Sequence, residues 1–178
     1  MNSINKNQPE DNHEDLIGTE AVEKIKMLTD KASVCFFCTK IETGESFSSR
    51  PMTVQKVDKQ GNIYFLSASD SRHNGELTED PYVQLLSQGS DYSDFLNIYG
   101  IATVNTDKAL IKELWKPLFK TWFTEGENDP RITVIKIKPL EGYYWDTKHN
   151  VAVGFIKRLI GAAIGKTMDD SVEGRIKV

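Results

Sequence analysis

Seven short runs, at 33–40, 46–57, 62–67, 82–87, 95–105, 131–138 and 141–145, are rich in β-branched and aromatic residues and read as strands. Short polar links join the first of them. "ETGE" leads from the first run to the second and "DKQGN" from the second to the third, each with a glycine able to supply the positive φ of a hairpin turn. Connections this short bring consecutive strands side by side and antiparallel. The expected fold is therefore mainly β with peripheral helices: a meander of six or so antiparallel strands closing toward a barrel.

Helical patterns flank and interrupt the strands. Ala21, Val22, Ile25 and Leu28 recur at helical spacing, with Glu20 and Glu23 in the first turn where the helix dipole favours negative charge. A second helix is expected over 108–122, with Asp107 as its N-cap and an apolar stripe of Leu110, Ile111, Leu114 and Leu118; Trp115 shares that stripe and reads as core. The segment 151–168 places Phe155, Ile156, Leu159, Ile160, Ala163 and Ile164 on one helical face, with Lys157, Arg158 and Lys166 outside it. Such a helix suits the barrel wall or a partner subunit, and these are preferred over a membrane surface. Its "GAAIGK" lacks the spacing and the strand-to-helix setting of a phosphate loop. The organisation expected is a disordered tail over 1–17, a barrel domain over 18–147, and a C-terminal amphipathic helix and tail over 148–178.

Composition removes several function classes. A net charge of −4 with no long basic block argues against a nucleic-acid surface. No apolar stretch reaches the roughly 20 residues of a membrane span, and the polar, acidic start is unlike a signal peptide, so a cytoplasmic location is expected. Cys35 and Cys38 in "VCFFCT" have the spacing of a redox or zinc pair, but in a strand positions three apart face opposite ways, and no second pair completes a zinc site. They read as structural, and no metal is expected.

Two stretches carry the chemistry. In "SSRPMTVQ", 48–55, Pro51 cannot donate to a ladder, which implies a sheet edge or a gap where backbone groups stay free to meet a planar ligand. In "NIYFLSASDSRHNGEL", 62–77, a strand gives way to hydroxyls and bases just before a short helix near Ser71. Ser69, Ser71, Arg72, His73 and Asn74 are placed to surround a phosphate at that helix N-terminus. The alternative is that Asp70 or Ser71 only caps the helix while Arg72 and His73 are solvated.

In order, "SSRPMTV", "SDSRHNGEL", "DPYVQLLS", "IYGIATV", "ELWKP", "TWF", "DP" and "GYYWD" resemble the general stress protein branch of the pyridoxamine-phosphate oxidase-like superfamily, over about 20–146. The resemblance implies an FMN-binding split β-barrel, homodimeric, with the flavin site at the subunit interface. Arg50, Pro51, Met52 and Thr53 match the strand that lines the flavin, with Arg50 near the phosphate or ribityl chain. Phe65, Leu66, Ser67 and Ala68 match the neighbouring strand under the rings, and Ser71, Arg72 and His73 the phosphate-binding turn. The family commonly has lysine where His73 stands; an imidazole with an ordinary pKa of about 6.5 would make phosphate affinity weaker and more pH-sensitive. Trp122 and Phe123 fall where relatives send side chains toward the flavin of the opposite subunit, and Trp145 matches the aromatic that closes the site in true oxidases. Barrel and interface packing would explain both equally.

The Arg-x-His pattern that holds substrate in the vitamin oxidases is missing after "GYYWD", which here continues "TKHNVAVGFIKRL". Authentic pyridoxamine-phosphate oxidase activity is therefore not expected. The resemblance implies a flavin-dependent oxidoreductase or reductase of unassigned substrate, fed by a small-molecule or nicotinamide electron donor. The alternatives are a non-enzymatic flavin carrier and a barrel module that docks a protein or membrane.

Overall fold

The computed structural model describes residues 12–41, 46–91, 93–148 and 170–178. Its strands are β1 (Leu16–Ile17), β2 (Val34–Thr39), β3 (Ser48–Thr53), β4 (Lys56–Val57), β5 (Ile63–Ala68), β6 (Tyr82–Gln88), β7 (Phe95–Asn105), β8 (Ile132–Thr147) and β9 (Ser171–Lys177). They form one sheet in the order β1-β9-β8-β7-β6-β2-β3, with β5 paired to the other part of β8 and β4 to β5. All pairings are antiparallel except that of β1 with β9. Strands β3 and β5 are not paired with each other, so the sheet curls into a barrel with an open seam between them. Below the seam, Gln55 N–H donates to the Tyr64 carbonyl at 2.9 Å and draws the walls together.

Local chemistry accounts for the turns that shape this seam. Asp58 accepts from the Gln60 and Asn62 amides, the Asn62 side chain and the Tyr64 hydroxyl, all at 2.8–2.9 Å, while Gly61 takes φ 80°. The "DKQGN" link is thus a self-bonded turn, whereas "ETGE" lies outside the described residues. Pro51 sits on β3, the edge strand, where its missing N–H interrupts no second ladder.

Helix α1 (Thr19–Ala32) closes one end of the barrel, burying Ala21, Ile25 and Leu28 completely in a core that includes Phe37, Phe65, Ile98, Ile135 and Ile137. Phe37 and Phe65 meet edge to face at 5.3 Å, the favoured geometry for an aromatic pair. A smaller cluster of Ile111, Leu114, Phe123, Ile132 and Val134 forms outside β5 and β8, with Trp115 packed against it.

Four sequence expectations are corrected. The helix expected over 108–122 stops after α3 (Lys108–Leu114), because Pro117 lacks an N–H and pushes Lys116 to extended backbone; a 3-10 turn, Pro117–Thr121, follows. The runs at 131–138 and 141–145 are one strand. Pro139 is accommodated because β5 pairs with β8 up to Ile137 and β9 pairs from Glu141 onward, leaving the proline between two partners. Residues 12–17, read as tail, run along β9: the Glu14 amide donates to Glu173 O at 2.9 Å and the Tyr144 hydroxyl to Glu14 O at 2.9 Å. Finally, 171–177, read as a C-terminal tail, is a strand whose Val172 and Ile176 enter the core. The helix expected over 151–168 lies outside the described residues.

Candidate functional site

At the open seam a cleft of about 600 Å³ separates the free edge of β3 from the end of β5 and the start of α2 (Arg72–Glu79). That is within the range of small-molecule sites. Arg50, Pro51, Met52 and Thr53 line it from β3, and Leu66, Ser67 and Ala68 from β5. Ser71 and His73, bonded to Ser67, form its polar end, and Trp122 completes the lining.

The polar end is tightly bonded. Ser67 Oγ lies 2.5 Å from His73 Nε2 and 3.1 Å from Ser71 Oγ. Ser71 is the N-cap of α2, its hydroxyl accepting from the Asn74 amide. Capping and cleft lining are therefore compatible in one residue, because the cap geometry itself turns the Ser71 hydroxyl toward the end of β5.

Behind this end Glu76, 5% exposed, gathers four donors: Thr39 Oγ1 at 2.5 Å, Ser48 Oγ at 3.0 Å, Arg50 Nη2 at 2.8 Å and Arg72 Nε at 2.9 Å. Burial works to raise its carboxyl, but the hydrogen bonds from Thr39, Arg50 and Ser48 and the Arg50 charge outweigh it and hold the group down at about 2. One carboxylate thus fixes β2, β3 and α2 together. It also sets Arg50, whose Nη1 is buried with no hydrogen-bond partner among the described residues. Two guanidiniums share this carboxylate, so the charge of the group is positive by one.

Five residues that the sequence placed at the site lie outside the cleft: Phe65, Ser69, Arg72, Asn74 and Trp145. The Ser69 amide donates to the Arg131 carbonyl, and the buried Asn74 side chain donates to Thr133 Oγ1. Phe65 is fully buried with its ring in the barrel core against Phe37. The Arg72 side chain is 82% exposed and reaches forward one helical turn to Glu76. Trp145 pairs with Phe95 near the far end of β8 and packs on Tyr143 at 4.6 Å between centroids, on the outward face of the sheet.

Gln55, Phe119, Phe123 and Arg131 also line the cleft; Gln55 closes "SSRPMTVQ" and Phe123 closes "TWF", whereas Phe119 and Arg131 fall in none of the sequence motifs. Phe119 and Phe123 face it because the chain breaks at Pro117 and turns back, so the stripe of a continuous helix is no guide to their direction. Arg131 is hidden by its position at a strand entrance, although Asp129 two residues earlier is a local signal. Its Nε and Nη2 donate to the Asp129 carboxylate at 3.1 and 2.9 Å, and this fork holds the Asp129 carboxyl below the usual carboxylate range.

The cysteines take no part. Both thiols are free and buried, and burial, aided by Cys38, pushes the Cys35 thiol up to about 12. Among the described residues no group of three or more His, Cys, Asp or Glu is placed to hold a metal, and no helix is long and apolar enough to cross a membrane. The arrangement offers hydroxyl, imidazole and guanidinium donors at one end and apolar and aromatic walls at the other, suited to a planar molecule carrying an anionic group.

The family model of pyridoxamine 5'-phosphate oxidase like proteins matches residues 20–169. The chain belongs to that family. Its fold matches that of a Jannaschia protein named for general stress protein 26, with a TM-score of 0.74 at 19% identity over 88% of this chain and 97% of the other. General stress protein 26 from Bacillus anthracis gives 0.59 at 22% identity over 69% and 92%. The general stress FMN/FAD binding protein of Xanthomonas citri gives 0.52 at 26% identity over 67% and 82%. The sheet with its open seam is accordingly a split barrel. In sequence the chain is 25% identical to Protein bli-3 of Neurospora crassa over 112 residues, 58% of this chain and 54% of that protein, so it spans about half the length of this curated relative.

Proposed function

We propose that this family member binds FMN in the seam cleft, as a homodimer in the cytoplasm, and acts as a flavin-dependent oxidoreductase or reductase on a substrate yet to be assigned. One observation carries the reading: residues 50–53, residues 66–68 with Ser71 and His73, and Trp122, three groups separated in sequence, line a single cleft of flavin-accommodating size. The chemistry of the lining fits the group. The phosphate would be met by Ser71, His73 and Arg50, whose buried Nη1 has no partner among the described residues. The ring system would lie between Met52 and Thr53 on one side and Trp122 on the other. Bound flavin supplies the electron-transfer chemistry, and the chain binds it, orients it and limits what approaches.

The dimer reading is supported by an exposed apolar surface beside the cleft. Phe36, 58% exposed, pairs across strands with Pro51 and Leu86, and Val34 extends the patch. Pro51 borders both this patch and the cleft, so a second copy seated there would adjoin the ligand. Two unpaired cysteines suit a reducing compartment.

A titration with FMN, followed by flavin fluorescence and native mass spectrometry, tests the reading. Quenched flavin at one FMN per chain in a species of twice the chain mass is the expected result; no uptake refutes it. Reduction of the bound flavin by a nicotinamide donor separates an oxidoreductase from a flavin carrier.

A further inference from the structure

We propose that Arg131 is a positioning residue of the flavin cleft, fixing its aromatic wall through the main chain of Trp122; this rests on the flavin reading above. Arg131 has a rigid base. Its carbonyl accepts from the Ser69 amide at 2.7 Å, and the next residue, Ile132, is fully buried and paired with Ala68 at the head of β8. Its guanidinium is gripped at two nitrogens by Asp129, which is 1% exposed and also accepts the Arg131 amide at 3.0 Å. A fork held by a buried carboxylate is set in one plane, unlike an exposed ion pair between two mobile side chains.

From that plane Nη2 reaches the Trp122 carbonyl at 3.2 Å, and Cζ stands 5.9 Å from the centre of the Phe123 ring. The wall needs such a hold. Trp122 is 61% exposed, so little side-chain packing fixes its ring, and it follows a 3-10 turn whose hydrogen bonds are weaker than those of an α-helix. Phe123, by contrast, is buried and anchors itself. Arg131 therefore ties the exposed half of the wall to the head of β8, which is paired with the end of β5 that lines the cleft. Lysine cannot substitute, since one ammonium has no planar fork with which to grip Asp129 and the Trp122 carbonyl together.

The test uses full-length protein labelled with 5-fluorotryptophan, which contains three indoles; Trp122→Phe identifies the Trp122 fluorine resonance. Arg131→Gln, Arg131→Lys and Asp129→Asn are compared with the parent for that resonance without ligand and for the FMN dissociation constant. The expected result is a moved or narrowed Trp122 signal in all three unliganded variants, an unmoved Trp145 signal, and FMN binding weakened about tenfold, with no rescue by lysine. Weaker FMN binding with an unchanged Trp122 signal would show that Arg131 meets the ligand itself and overturn the positioning role. A moved signal with unchanged affinity would take the wall out of the site, and full rescue by lysine would reject the fork. Failure of the parent protein to bind FMN is a separate result, which removes the flavin reading and this inference with it. Should the Arg131→Gln variant lose its circular dichroism signature, the Arg131→Lys variant, which keeps the charge and most of the stem, decides the question.

Discussion

Replacing Glu76 with glutamine keeps the shape of the side chain and removes its charge from beneath the cleft. The carboxyl is held at about 2 against an ordinary 4.5. At roughly 1.4 kcal/mol per pH unit, that difference corresponds to about 3 kcal/mol of folding stability at neutral pH. Because the folded value is depressed, the contribution is fully present above pH 4.5 and is lost as pH falls toward 2. Glutamine cannot supply it at any pH, and it leaves Arg50, 20% exposed, facing a neutral amide. Urea unfolding of both proteins should therefore show the variant about 3 kcal/mol less stable at pH 7, or roughly 6–12 °C lower in Tm for a chain of this size. The gap should narrow steadily between pH 4.5 and 2, where protonated Glu76 resembles glutamine. A gap below about 1 kcal/mol at pH 7, or one that stays constant down the pH range, would refute the account of Glu76 as the anchor of β2, β3 and α2.

His73→Lys is expected to tighten FMN binding and flatten its dependence on pH between about 6 and 8, because an ammonium keeps its charge across that range whatever the protonation of the imidazole it replaces; superimposable titrations across that range would remove His73 from the phosphate end. Gly174→Ala would drive a methyl into the Glu14 carbonyl oxygen, a backbone atom that cannot turn aside. Residues 12–17 should then detach, read as lost hydrogen-exchange protection of the Glu14 and Gly18 amides. Ellman's reagent should leave Cys35 and Cys38 unmodified in the native protein and titrate both thiols in urea, since burial denies access to both and raises both thiol pKa values.

Much of the site was readable because its parts are local patterns. Pro51 in a strand announces an edge, and Ser71 three residues before Asn74 announces a helix cap. Arg72 and Glu76 stand one helical turn apart and meet as that spacing suggests. Other contacts have no local signature. Arg50 reaches Glu76 across 26 positions, and whether its charge is free or matched depends on how β3 is laid against α2. Phe65 and Trp145 sit in motifs that point to the ligand, yet the core claims one ring and the outer sheet face the other. Nor does a polar stretch such as 12–15 reveal that β9 will meet it, because a pairing spanning the whole chain is set by where the sheet leaves an edge open.

By itself, then, the order of residues determined the elements and their sidedness: alternation in the strands, the turn at Asp58 and Gly61, the cap at Ser71 and the edge position of Pro51 are each decided within a few bonds. Only the tertiary structure decided which charges are compensated, which aromatics face the cleft and how the chain ends are held. Those outcomes depend on burial and on partners far away in the chain, and such energies exist only once the sheet has closed.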